Sequence, residues 1–236
     1  MKILVIVAHP DDEVLGMGGT LKKLSSQKNN IKVVFLATGI SARRSDEYLN
    51  HPTYKTDTNL TKIMKKQIQK LQLDAKKALK ILDIENIDFF EFPDNEMDTV
   101  SNLEITKTIE KLILEFKPEI IYTHTKNDVN VDHRAIFNAT ITATRPTTNQ
   151  RVKKVICFEV PSSSEWNFDE TFSPNIFIDI KKELPYKIRA IKAYKNELRK
   201  FPHPRSPEAL DAIAKRWGSV SGYEAAEAFE LIRDLQ

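Results

Sequence analysis

Along the chain, short apolar runs alternate with longer stretches in which apolar residues return every three or four positions. Ile3–Ala8, Ile31–Ala37, Ile87–Phe92, Ile120–His124, Val155–Val160 and Asn175–Ile180 are compact runs rich in β-branched and aromatic residues, and they predict strands. Glu13–Ser26, Thr58–Leu82, Asn102–Phe116 and His133–Thr144 carry the helical spacing. Strands that are apolar on both faces and separated by helices belong to a parallel sheet covered on both sides. The pattern therefore predicts an α/β fold, Rossmann-like and doubly wound, with a mainly parallel sheet and helices on both faces. Beyond about Pro161 the rhythm changes. A polar stretch, SSSEWNFDETFSP, precedes the last predicted strand, and helical patterns run from there to the C-terminus, interrupted at Pro202, Pro204 and Pro207. No repeat, low-complexity tract or Gly/Ser-rich linker divides the chain. One domain is expected over 1–236: an α/β core over 1–160 and a helical C-terminal extension over 161–236 that completes the site. Residues 43–57, RRSDEYLNHPTYKTD, form a long polar loop after the second strand, and loops of that length are functional lids or disordered.

Composition removes several function classes. The 236 residues can bury a full core, and 36 basic against 33 acidic residues leave a net charge of only +3. Lys and Glu are interspersed along the helices, which describes solvated faces and not a nucleic-acid stripe. One cysteine, Cys157, permits no internal disulfide and suits a reducing compartment. The first apolar run ends after about six residues in HPDDE, too short for a signal peptide or a membrane span. A cytoplasmic protein without a membrane span is expected.

The charge in AHPDDE, residues 8–13, needs a reason. In doubly wound sheets, ligands bind outside the C-terminal ends of the strands where the strand order reverses, and the first strand normally lies there. Asp11 and Asp12 could simply cap the following helix. That reading leaves His9 unexplained and one carboxylate too many. A second cluster follows the strand EIIYTH, where Asp128, Asp132 and His133 crowd the next turn. Asp132 and His133 alone would read as a helix N-cap. The first and fourth strands are commonly neighbours, however, so both turns would face one crevice. Two histidines and a carboxylate are a recurrent catalytic zinc set that leaves a position for water. His9 and Asp12, three residues apart, can point to one side, and His133 can close the triangle. Asp11 then projects towards the open position, where it can take a proton from the attacking water. The cofactor expected is Zn2+ or another divalent transition metal.

AHPDDE followed by DxNxDH resembles the PIG-L/LmbE-like family of metal-dependent N-deacetylases, and the likeness runs from Ile3 to the C-terminal region. The resemblance implies His9, Asp12 and His133 as metal ligands, Asp11 as general base, and removal of acetate from an N-acetylated amino sugar or sugar conjugate. FEVPSSSEW, FPHPRS and AEAF are similar to a bacterial branch associated with surface-glycan sugars. One position departs. Many members carry a histidine three residues before the last metal histidine, where this chain has Asn130. An amide can donate to an oxyanion but supplies no proton. The leaving amine's proton is then assigned to Asp11, with His203 as the alternative.

The remaining candidates are rim residues. Arg44 (beside Arg43), Asp94, Asn95, Arg145, His203 and Arg205 come from segments whose ends could surround the crevice, and they are the expected substrate-binding set. Taken singly, each of the arginines and His203 is most often a solvated surface residue. Guanidinium groups suit phosphate or carboxylate, so the expected partner is a small acetamido sugar, anionic or nucleotide-linked. Nucleic acid is not an expected partner, and a homo-oligomer stays open. His124 and Asp128 are expected to support the ligands, and Trp166 and Trp217 to pack, with Trp166, in a loop, the better of the two as a sugar platform. Gly16, Gly18 and Gly19 follow the acids inside a helix and are expected to allow close packing on the sheet. Two other classes compete. A non-catalytic nucleotide- or sugar-binding α/β domain would put GxGxxG where three acids stand. A magnesium phosphohydrolase would prefer all-oxygen ligands to two histidines.

Overall fold

A computed structural model describes residues 1–40, 58–146 and 152–236. Among these residues the chain runs β1 (Lys2–Val7), α1 (Asp12–Ser26), β2 (Asn30–Ala37), α2 (Thr58–Ile81), β3 (Ile87–Phe92), α3 (Asn102–Phe116), β4 (Ile120–His124), α4 (Val131–Ala143) and β5 (Lys154–Phe158). It continues through β6 (Ile176–Asp179), α5 (Leu184–Ile191), α6 (Pro207–Ser221) and β7 (Ala226–Asp234). The seven strands form one sheet in the order β3-β2-β1-β4-β5-β7-β6. The first five strands pair in parallel, and β7 runs antiparallel to both β5 and β6. The order reverses between β1 and β4, so the turns after these two strands open into a common crevice.

Strand β1 is buried from Ile3 onward on both faces, as a central parallel strand requires. Ile3, Val5 and Val7 pack with Leu15, Leu21, Leu79 and Ile191, while Leu4 and Ile6 pack on the other side with Ile109, Leu112 and Ile136. The sheet therefore separates two apolar layers, and the polar residues after Ala8 emerge where both layers end.

Helix α1 is broken at Met17, whose φ of −143° is not helical. The amides of Gly19 and Thr20, released by the break, donate to the Glu227 carboxylate on β7. Lys187 of α5 donates to the same carboxylate at 2.6 Å. Gly16 lies against Phe158 and the carbonyl of Glu159, and Gly19 lies against Ile180, which bears out the close packing read from their sequence positions. Gly18 faces Lys187 instead of a strand.

The C-terminal end corrects the sequence reading. Helices were expected to reach the C-terminus, but residues 226–234 form β7. Ala, Glu and Leu favour helices weakly, and pairing with two open strand edges overrides that preference. Gly222, at φ 81°, ends α6 in a left-handed cap and turns the chain back. Trp217 is buried and donates from Nε1 to Glu159 Oε1 at 2.5 Å, a packing role as expected.

A Cβ added to Gly16 would lie 2.2 Å from Phe158 Cδ2 and 2.9 Å from the Glu159 carbonyl, and backbone there cannot yield cheaply. Gly16→Ala should therefore destabilise the protein by about 1–3 kcal/mol, as overpacked cores do. Denaturant unfolding checks this, and a midpoint equal to wild type would contradict the packing.

Candidate metal centre and active site

The crevice holds three histidines and five aspartates that are almost completely buried. His9, Asp11 and Asp12 follow β1, Asp94 follows β3, His124 ends β4, and Asp128, Asp132 and His133 surround the start of α4. Neither acid after β1 caps its helix: Asp11 is the N-cap residue of α1, but its side chain makes no capping bond. The Asp12 carboxylate turns inward, where Oδ2 accepts from the His9 amide at 2.8 Å. It also lies 3.4 Å from His9 Nδ1 and 3.3 Å from His133 Nε2.

The outer nitrogens of these imidazoles fix their orientation. His9 Nε2 donates to Asp132 Oδ2 at 2.8 Å and lies 2.9 Å from Asp94 Oδ1. His133 Nδ1 donates to Asp128 Oδ2 at 2.9 Å. Ionised carboxylates only accept, so each outer nitrogen carries a proton, and the inner nitrogen beside Asp12 is the one that a cation could take once its own proton has left. Histidine ligands of metals are typically backed by a carboxylate in this way. Asp128 is itself held by Ser163, by Ser164 Oγ at 3.1 Å and by the Asn130 amide at 2.8 Å. Asp132 accepts from the amides of Asn95 at 2.6 Å and Met97 at 3.0 Å. It is a buried hub and not the N-cap of α4. That cap is Asn130, whose Oδ1 accepts from the amides of Asp132 and His133.

The donor set fits a cation. One ligand atom each from His9, Asp12 and His133 lies within 4.8 Å of the others. His133 Nε2 and Asp12 Oδ1 are buried with no hydrogen-bond partner, and unpaired buried polar atoms are costly unless something binds them. Two nitrogens and one oxygen are the ligand types of a transition metal. A second group, His9, Asp94 and Asp132, has comparable spacing, but the Asp132 oxygens are occupied by backbone amides and the His9 proton. The first group is therefore the better metal site.

Electrostatics agree. Burial is the largest influence on His133 and lowers its pKa, but Asp12 and Asp128 outweigh it and raise the value to about 9. His9 behaves alike: burial lowers it, while Asp12, Asp132 and Asp94 together hold it well above the usual histidine value. His124 goes the other way, lowered by burial and the neighbouring His133 charge. Its Nε2 accepts from the Ala8 amide at 2.8 Å, and its ring stacks on His133 with centroids 3.9 Å apart. It thus lies behind His133, at the end of β4.

A cavity of about 280 Å³ opens over this cluster, lined by His9, Asp11, Asp94, Asn95 and Asn130 from the turns after β1, β3 and β4. Ser162, Trp166, Glu197, Arg199, His203 and Arg205 form the facing wall.

The sequence profile described as GlcNAc-PI de-N-acetylase, PIG-L, matches residues 4–144. The chain belongs to the PIG-L family. Over 238 aligned residues it is 25% identical to the diacetylchitobiose deacetylase of Thermococcus kodakarensis, covering 98% of this chain and 83% of that protein. Among solved structures, a zinc-inhibited form of the teicoplanin deacetylase superposes with a TM-score of 0.75 at 17% identity, covering 99% of both chains. The 4-carboxy-2-hydroxymuconate hydratase of Pseudomonas putida superposes with a TM-score of 0.69 at 19% identity, covering 100% of this chain and 97% of that one.

Within this PIG-L chain, the structure gathers His9, Asp11, Asp12, Asp94, Asn95, Asn130, His133, His203 and Arg205 at one crevice. Asn130 Nδ2 donates to Asn95 Oδ1 at 3.2 Å, so its amide faces the cavity while its carbonyl caps α4. Arg205 is not free to meet a substrate anion. Its Nη1 donates to Asp11 Oδ2 at 2.9 Å and lies 3.3 Å from Glu197 Oε2, and its Nε donates to Ser162 Oγ at 2.7 Å. Arg145 is a correction to the expected rim. It is exposed at the far end of α4, about 20 Å from the site at 1.5 Å per residue, and its Nε donates to the Thr142 carbonyl. Arg44 lies outside the described residues. Glu197 and Arg199 went unnamed in the sequence, although FPHPRS a few residues on already pointed to this wall. Trp166 does face the cavity, its ring edge-on to His203 with centroids 6.1 Å apart.

With a raised pKa near 9, His133 is protonated at neutral pH in the metal-free protein, and a cation must displace that proton. Zinc binding at pH 7 should therefore release protons, and the release from His133 should fade as pH rises above about 9. The sign for stability follows: relative to the ordinary value, the raised pKa stabilises the metal-free fold below about pH 6.5, and this contribution is lost as pH rises through about 9. Calorimetry in buffers of different ionisation enthalpy checks the proton count, and zinc uptake without proton release at pH 7 would contradict the assignment.

Proposed function

We propose that the protein is a zinc-dependent N-deacetylase that hydrolyses the acetamide of an N-acetylated amino sugar or sugar conjugate and releases acetate. The observation that carries this reading is the set of unsatisfied inner atoms, His133 Nε2 and Asp12 Oδ1, beside the separately held carboxylate of Asp11. His9, Asp12 and His133 would hold the ion, which when bound supplies Lewis acidity and lowers the pKa of water. Asp11, on the cavity wall, takes the proton from the attacking water. Asn130 Nδ2 is the donor available to the developing oxyanion, and Asn95 already orients it.

The leaving amine needs a proton. His203 is held below the usual histidine value by burial and by the Arg205 and Arg199 charges. Its Nδ1 accepts from the Arg205 amide, so it is poorly suited to arrive protonated. Asp11, having taken a proton in the first step, returns it in the second. Asp94 and Asn95 suit sugar hydroxyls, and Trp166 offers a ring face to the pyranose. The solved hydratase of similar fold supplies the contrasting outcome, since addition of water to an enol acid releases no acetate.

His9→Ala, Asp12→Ala and His133→Ala should each lose bound metal, whereas Asp11→Asn should keep it and lose turnover by about a hundred to ten-thousandfold. Metal analysis alongside an acetate-release assay decides between them. Metal loss in Asp11→Asn, or near wild-type turnover, would reverse the roles of base and ligand.

We also propose that the substrate carries an anionic group, such as a phosphate or carboxylate on the sugar conjugate. With Arg205 paired to Asp11, this rests chiefly on Arg199, which is exposed on the cavity wall and, among the described residues, uses only Nη1 of its guanidinium, to the carbonyls of Asn196 and Leu198. Arg199→Ala should lower the preference for charged over matched neutral acetamido sugars by up to about tenfold, the size of one charge-assisted hydrogen bond. Equal efficiency of the wild type on both sugars would remove the anionic part while leaving deacetylation intact.

A further inference from the structure

Asp11 has a backbone conformation that side-chain-bearing residues rarely adopt, with φ at 122° and ψ at −27°. Such a residue persists only where its surroundings over-determine it. Its carbonyl is used by the first turn of α1, accepting from Val14 and Leu15. Its amide donates to Glu13 Oε2, a side chain of the first turn of α1, at 3.1 Å. The other oxygen of Glu13 accepts from the hydroxyl of Tyr194 at 2.5 Å. Glu13 and Tyr194 are both fully buried, and neither lines the cavity over the metal cluster. Tyr194 follows α5 and is 181 residues from Glu13 in sequence, so the contact ties the C-terminal extension to the turn after β1.

A buried carboxylate at position 13 is costly in the middle of an apolar layer, where Val14 and Leu15 pack beside it. An apolar residue would fill the same space. What a carboxylate adds is one acceptor for the Asp11 amide and a second for a hydroxyl that fixes its rotamer. The Asp11 side chain is held independently by Arg205.

We propose that Glu13 and Tyr194 are positioning residues for Asp11: Tyr194 fixes the Glu13 carboxylate, which clamps the Asp11 amide and holds the strained turn that aims the base into the cavity. The proposal rests on Asp11 acting as the general base. Tyr194→Phe keeps the ring and removes only the hydroxyl. It should lower kcat by about tenfold to a hundredfold, the effect of a small misplacement of a reacting group, with KM and bound metal close to wild type. Glu13→Gln keeps an acceptor for the Asp11 amide and should retain more activity than Glu13→Leu, which keeps none.

A readout in the metal-free protein needs no substrate. Hydrogen exchange of the Asp11 amide, followed by NMR, should accelerate in Tyr194→Phe, while core amides in β2 and the unfolding midpoint remain unchanged. If the pair served only to fill the core, exchange would rise throughout the protein and the folded fraction would keep its kcat. Wild-type kcat in Tyr194→Phe, a loss of activity proportional to lost metal, or an unchanged Asp11 exchange rate would each overturn the proposal. Should the wild type release no acetate from any acetamido sugar, the deacetylase reading fails, and the exchange measurement still decides whether the clamp exists.

Discussion

A carboxylate buried between two imidazoles, Asp12 between His9 and His133, is the constraint on which the rest of the molecule depends. Taking such charges out of water is expensive unless each is paired and hydrogen-bonded. Asp12 can stand at the end of the central strand only because His9 donates its amide and both rings are turned towards it. Those rings are turned because Asp132 and Asp128 hold their far sides, and these acids are held in turn by backbone amides and serine hydroxyls. The network grows outward until it reaches groups that are ordinary parts of loops. Removing one inner member would leave the others buried and uncompensated.

The requirement reaches into the extension. Tyr194, Glu197, Ser162 and Arg205 all come from residues after β5, and each contacts either Asp11 or a residue that holds it. Strand β7 has a complementary task. Its Glu227 receives the amides freed where α1 breaks, together with Lys187, and so fixes the helix that begins at Asp12. A residue near the C-terminus thereby steadies a turn at residues 9–13.

Much of this could be read from the chain because the chemistry contradicts its surroundings. His9, Asp11 and Asp12 follow a strand that is apolar without interruption, and helix capping accounts for too few of them. The strand order follows from the alternation of elements, and it brings the second cluster beside the first. Other features were hidden because they depend on distant contacts. Residues 226–234 have the composition of a helix and become a strand only when two edges are available. Asp132 resembles a cap until the amides of Asn95 and Met97 are found on its oxygens, 37 and 35 residues away. Arg145 could have been excluded beforehand, since a helix that starts at the site runs back along the sheet and finishes at the opposite end of the strands.

The site divides unevenly along the sequence, and this bears on how one fold serves different chemistry. The atoms that can hold a cation, and the carboxylates behind them, lie between residues 9 and 133, within the stretch matched by the family profile. The facing wall of the cavity, from Ser162 to Arg205, lies beyond that stretch. The first part is tightly interdependent, because every member satisfies another buried charge. On the second part, Trp166 and Arg199 are partly exposed and can vary without leaving a buried partner unpaired. Arg205 and Glu197 are exceptions, since they also restrain Asp11. Substrate choice is therefore expected to change through the exposed residues of the wall, while the residues bound to Asp11 are held to their identity by the same electrostatics that fix the His/Asp cluster.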